Sequence, residues 1–201
     1  MLDLLKELEK YLIEFNNPVV PYLEEGTPFD PDHFANMLEL LQLDACEDLN
    51  ALYSWKPGLK KEIINNLDFN FQLFDMGSHI EYTEVLHTYQ ILVLQEKEIF
   101  ENRFLPFILI PGLGLSDPVL IDLSKKSNTF GQIFFDSPAT GLGGPTSIYD
   151  SLNSMTETII ECYRKGVYTF SDEGILQTDD DKEVEISSRI NKNSDYWKEC
   201  F

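Results

Sequence analysis

The hydrophobic period of this chain changes near residue 103 and returns to a helical spacing near residue 151, and no other feature restricts the fold as strongly. Upstream, apolar residues recur at three- and four-residue steps; downstream they stand in short continuous runs at 104–110, 119–123 and 131–135, separated by turn-forming clusters. The first pattern belongs to amphipathic helices and the second to short strands. Helices in one block, then adjacent antiparallel strands, then further helices specify the α+β class, with helices gathered against an antiparallel sheet.

Local signals place the helices. Leu2, Leu5, Leu8, Leu12 and Phe15 form one stripe, which Asn16, Asn17 and Pro18 terminate. Asp30 suits an N-cap, Pro31 the first helical position, and Phe29 with Phe34 a hydrophobic staple. Asp44 and Glu47 have capping-box spacing before a helix that Pro57 and Gly58 stop. A fourth helix is expected over 81–101, and FNFQLFD at 69–75 alternates as a strand does. Ser151 caps a later helix with an apolar face of Leu152, Met155, Ile159, Cys162 and Tyr163, closed by Lys165 and Gly166. The Asp run at 179–181 reads as a solvated turn ahead of a weaker helical segment ending at Asn193. No repeat or long low-complexity linker divides the 201 residues, so one domain is expected.

Fifteen Lys and Arg against 35 Asp and Glu give a formal charge of −20. Nucleic acid and anionic membranes reward positive charge, so both are excluded as expected partners, and a basic partner is favoured. The first residues alternate charge with leucine, unlike a signal peptide, and no apolar run reaches membrane-spanning length. Three cysteines, Cys46, Cys162 and Cys200, form no CxxC pair, which suits a reducing cytoplasm rather than a disulfide framework or zinc site.

The tempting chemistry is weak. A phosphate loop needs glycine-freed amides at the start of a helix, usually with a lysine. GLGLSDP at 112–118 runs instead into the strand-like VLIDL, GLGG at 141–144 precedes Pro145 and a short strand, and no GK[ST] occurs. Both read as chain reversals. Glu84 and His87 stand at i and i+3, but a carboxylate-bridged metal site needs a second such pair. His33 lies in a helix's first turn and His79 in an expected loop, neither with an identifiable partner. Asp117, Asp122 and Asp136 could converge at strand ends as the centre of a metal-dependent hydrolase, although Asp122 falls inside a strand pattern. Trp55, at the end of the third helix, suits either an interface anchor or burial against the sheet.

Taken in order, the motifs resemble the SUKH superfamily, which includes the yeast Smi/Knr cell-wall-synthesis regulators and many bacterial toxin-immunity proteins. FDPDHFANMLELLQLDACEDLNALYSWKPG is similar to its first helical pair, in which a "dl..LY...nG" signature ends the second helix; FLPFILIPGLGLSDPVLIDL is similar to its central strands, and FGQIFF to the strand that follows. SIYDSLNSMTETIIECYRKGVYTF resembles its closing helix, and EVEISSRINKNSDYW the extension of some bacterial members. Phe104 replaces the usual Trp, Pro57 the usual Asn, and the Gly-Asp pair is spread over Gly114 to Asp117.

The resemblance implies a six-stranded-type antiparallel sheet flanked by helices, with a lead-in over 1–28, a core over 29–170 and an extension over 171–201. It implies no catalytic residue, no metal and no cofactor. Its signature positions, Tyr53, Gly58, Leu120, Asp122, Gly131 and Leu152, carry structural chemistry only. The expected function is that of a cytoplasmic immunity protein occluding a basic, nuclease-type toxin; a Smi/Knr-like regulatory scaffold is the alternative, and neighbouring genes would discriminate the two. Asp30, Asp32, Asp44, Glu47 and Asp48, with Trp55 and Asp75 beside them, are the expected contacts. Steering by such a face can lift association toward roughly 10⁸ M⁻¹s⁻¹ at low salt.

Overall fold

Leu5, Leu8 and Leu12 do share one buried face, on helix α1 (Leu2–Glu14). The structure, a computed structural model, describes residues 1–23, 26–66, 73–74, 76–110, 117–137, 144–171 and 176–199. A 3-10 turn at Val20–Tyr22 leads towards α2 (Pro31–Leu40), whose first two free amides, those of Asp32 and His33, donate to the Asp30 carboxylate. The staple forms as the sequence suggests, with the Phe29 and Phe34 rings 5.7 Å apart. Helix α3 (Glu47–Trp55) stops before Pro57, and a short α4 (Lys61–Asn66) follows.

The expected helix over 81–101 is two helices, α5 (Tyr82–Gln95) and α6 (Lys97–Phe100), broken at Glu96. On an unbroken helix Leu92 and Phe100 would diverge by ~80° about the axis. The break lets both enter one cluster with Phe104, Leu120 and Phe134.

Five strands, β1 (Ser78–His79), β2 (Phe104–Leu109), β3 (Val119–Asp122), β4 (Ile133–Phe135) and β5 (Thr146–Tyr149), form an antiparallel meander in sequence order. Pro106, which has no amide to offer the ladder, sits where the β2–β3 register shifts. One sheet face meets Phe100 and Leu92 through Phe104, Leu120 and Phe134; the other side joins the main core shared with α1, α3 and α7 (Leu152–Arg164). Burial on both faces explains why these strands read as continuous apolar runs rather than alternating ones.

Among the described residues the sheet has five strands where the resemblance implied six, and β6 (Tyr168–Phe170) pairs with β7 (Leu176–Thr178) as a separate hairpin. Most of FNFQLFD lies outside the described residues; Phe74 bridges Gly77 ahead of β1. Asp179 caps α8 (Asp180–Ile190) and Asp180 and Asp181 occupy its first turn, so this acidic run is a helix start, favoured there by the helix dipole, and not a simple turn. After it, α9 (Asp195–Glu199) docks on β5: Trp197 is 6% exposed and belongs to the same core as Leu5. The chain is one α+β domain, and among the described residues no helix is long and apolar enough to cross a membrane.

Candidate protein-binding surface

The expected contact residues divide between the two ends of α3. At its start, Asp44 does not close a capping box. Its carboxylate accepts from the Lys125 amide at 2.8 Å, and its own amide donates to the Leu123 carbonyl, so it fastens α3 to the chain beyond β3. The Lys125 amide bond, partly opposed by desolvation and aided by the Lys125 ammonium, holds the Asp44 carboxyl below its ordinary value. Asp48 accepts from Asn153 Nδ2 at 2.7 Å, joining α3 to α7, while Glu47 is exposed and makes no ion pair among the described residues. Cys46 occupies the N-cap position, with its thiol pushed up by burial.

At the far end stand Trp55, Asp30 and Asp32. Trp55 is half-buried; its indole N–H donates to Glu9 Oε2 at 2.9 Å and its ring stacks against His79. Lys56, itself 7% exposed, reaches Glu9 Oε1 at 2.9 Å. Desolvation raises the Glu9 carboxyl, but hydrogen bonds from Lys56 and Trp55 outweigh it, leaving the pKa below its ordinary value. Trp55 thus joins α3 to α1 rather than projecting as a free anchor. Asp75 lies outside the described residues.

Close to this end is a surface cleft of 420 Å³, lined by Gly26, Pro28, Phe29, Pro31, Tyr53, Ser54 and Pro57. Its floor is aromatic: Phe29 stacks on Tyr53 at 5.7 Å, with Phe34 and Tyr82 packed at their edges. Its rim segment is fixed from below, because Glu81 accepts from the Thr27 amide and the Tyr82 hydroxyl donates to the Pro28 carbonyl. Tyr53 is 1% exposed, and among the described residues its hydroxyl has no hydrogen-bond partner. The signal for this cleft in the sequence is the combination of the Phe29–Phe34 staple with the Pro57–Gly58 stop, which lie too far apart to be joined without the fold.

The remaining chemistry does not assemble. Asp122 is wholly buried and accepts from Arg103 Nε at 3.0 Å, Thr129 Oγ1 at 2.7 Å and the Ser124 amide at 3.0 Å. Asp136 lies past the opposite end of β3, its amide bonded to the Pro118 carbonyl; burial first, then Glu96 and Asp117, raise its pKa. The trio is therefore not gathered, and among the described residues no group of three His, Cys, Asp or Glu could hold a metal ion. Glu84 turns from His87 to accept from the Lys61 amide at 2.6 Å. His79 lies in β1, not a loop, fully buried, with Nε2 donating to the Lys56 carbonyl at 3.1 Å.

Residues 111–116 and 138–143 lie outside the described residues, so the glycines at 112, 114, 141 and 143 do too. The strands on either side of them are described: β2 and β3, and likewise β4 and β5, are antiparallel neighbours. Two more cavities, of 320 and 490 Å³, surround Glu161, where Arg164, Arg189, Lys165 and Lys182 meet Glu161, Glu7 and Asp179 in ion pairs. Their charges are internally matched. No family model matches the chain, and no curated protein does.

Proposed function

We propose that this protein is a non-enzymatic binding module, an immunity protein of SUKH type that occludes a basic toxin acting on nucleic acid. One observation carries the reading: the acidic excess of −20 is not answered within the molecule. Lys56, Lys97, Arg103, Lys125, Arg164, Lys165, Lys182, Arg189 and Lys198 are already engaged in ion pairs. Asp32, Glu39 and Glu47, by contrast, are exposed on α2 and α3 and make no ion pair among the described residues. Such a field concentrates a cationic partner and repels another copy of the chain or a nucleic acid. The helical pair followed by an antiparallel meander supports the same reading, since it is the order that the family resemblance implies.

The test is capture of the tagged protein's partner from a native lysate, followed by assay of that partner with and without the bound chain. A basic polypeptide whose nuclease activity is suppressed on binding is the expected result. Recovery of acidic partners alone, or a captured nuclease with undiminished activity, would overturn the proposal.

A further inference from the structure

We propose that Trp55 and His79 form an acid-operated latch: when the imidazole of His79 takes up a proton, the Trp55 indole swings off it and the last turn of α3 opens while the rest of the fold stays in place. The latch is independent of the binding role proposed above.

His79 is wholly buried, and the half-buried Trp55 indole lies nearly parallel to it, with the ring centroids 6.4 Å apart. Tyr53 and Phe74 add tilted rings at 5.9 and 6.1 Å. Nε2 bonds to the Lys56 carbonyl at 3.1 Å, but Nδ1 has no partner among the described residues. An imidazolium donates at both nitrogens, so its Nδ1–H would be stranded among aromatic rings. Contact with the ring faces offsets only part of that penalty.

No neighbouring charge answers the proton. Tyr53 and Lys56 come from α3 and its end: the Tyr53 hydroxyl makes no hydrogen bond among the described residues, and Lys56 is itself a cation. Glu9, on α1, is taken up by the Lys56 ammonium and the Trp55 indole N–H, each at 2.9 Å. β2 opposes His79 with Ile108, which is apolar, as is Phe74 ahead of β1; Glu81 turns to the Thr27 amide, and Asp75 lies outside the described residues.

Water solvates the charged ring better than this cage does, and the indole is its most weakly held wall. The Glu9 side chain that accepts the indole N–H is 31% exposed, so water competes for the bond. Beyond α3 the chain is fixed, because a Cβ on Gly58 would stand 2.4 Å from the Ile80 carbonyl oxygen, and movement is confined to the last helical turn. An uncovered ring titrates at the ordinary 6.5 and the covered one at about 4, so the open-to-closed ratio rises about tenfold for each unit that pH falls through this interval.

The experiment follows acrylamide quenching of tryptophan fluorescence in the dilute full chain from about pH 7 to about pH 4, with far-UV circular dichroism in parallel. Trp55→Phe, which leaves Trp197 as the sole emitter, supplies the background. Quencher access to Trp55 should rise about threefold toward the acid end with the helical signal unchanged. His79→Phe, an aromatic with no titrating nitrogen, should abolish the rise; His79→Gln, which keeps a donor for the Lys56 carbonyl, should do the same if the first variant fails to fold. No rise, a rise that accompanies loss of the helical signal, a rise shared by Trp55→Phe, or one that survives in the His79 variant would each overturn the latch.

Discussion

The indole N–H of Trp197 donates to the carbonyl of Ile148 across 2.6 Å, tying the last helix of the chain to β5. The Ser194 hydroxyl and the Asp195 amide add bonds to the Ser147 carbonyl and hydroxyl, so the C-terminal segment covers an edge strand that would otherwise be open to pairing. It is part of the core.

Trp197→Phe is therefore expected to lower unfolding stability by about 1 kcal/mol, and Trp197→Ala by about 3–5 kcal/mol, in urea titrations. Two variants as stable as the wild type would mean that the segment is an appendage.

Gly58 tests the approach of α3 to the strand before α5. Its φ is +92°, and a Cβ there would stand 2.4 Å from the Ile80 carbonyl oxygen, against backbone that cannot move aside. Gly58→Ala should cost about 3 kcal/mol or more. Gly131, at φ +83° with nothing within 4 Å of its added Cβ, should lose only about 1–2 kcal/mol as alanine. Equal losses at the two positions would contradict the packing at Gly58.

Asp122 is the latch of the β2–β3 end. Removing it strands Thr129 and the Ser124 amide and frees Arg103, whose side chain is 44% exposed and so loses less than a buried cation would. Asp122→Ala should destabilise by about 2–3 kcal/mol, while dialysis against a chelator leaves the wild-type melting temperature unchanged. A melting temperature that falls on chelation and recovers with a divalent cation would restore a metal role for these carboxylates.

His79 gives the stability a pH signature. Burial, only partly opposed by the bond to the Lys56 carbonyl, lowers its pKa from 6.5 to about 4. The unfolded chain takes up a proton as pH falls through 6.5 while the folded chain does not until about 4, so stability is full above that window and is lost across it. The ring's NMR titration should have its midpoint near 4, and the stability difference between wild type and His79→Gln should shrink as pH falls from 6.5. A midpoint near 6.5 would show that the ring is not buried in solution.

Much of this architecture is legible in the residues themselves. The cap and staple at Asp30, Phe29 and Phe34 act within a few residues, and the runs at 104–110 and 119–123 are buried on both faces, so their patterns survive in the sequence. Asp44 misleads because the amide that it accepts from belongs to Lys125, 81 residues away. β1 is hidden because two polar residues, Ser78 and His79, form it through backbone pairing alone, and α9 because five residues carry no period. The six expected contacts that are described fail to form one patch for the same reason: Asp44, Glu47 and Asp48 stand at or just before the start of α3 and Trp55 at its end, a separation invisible until the helix is built.

The most direct measurement is the association rate of the captured basic partner, followed by stopped-flow fluorescence from about 20 mM to 150 mM salt. A rate that falls at least tenfold across that range, with dissociation little changed, is expected if the acidic surface draws the partner in. A rate indifferent to salt would contradict it.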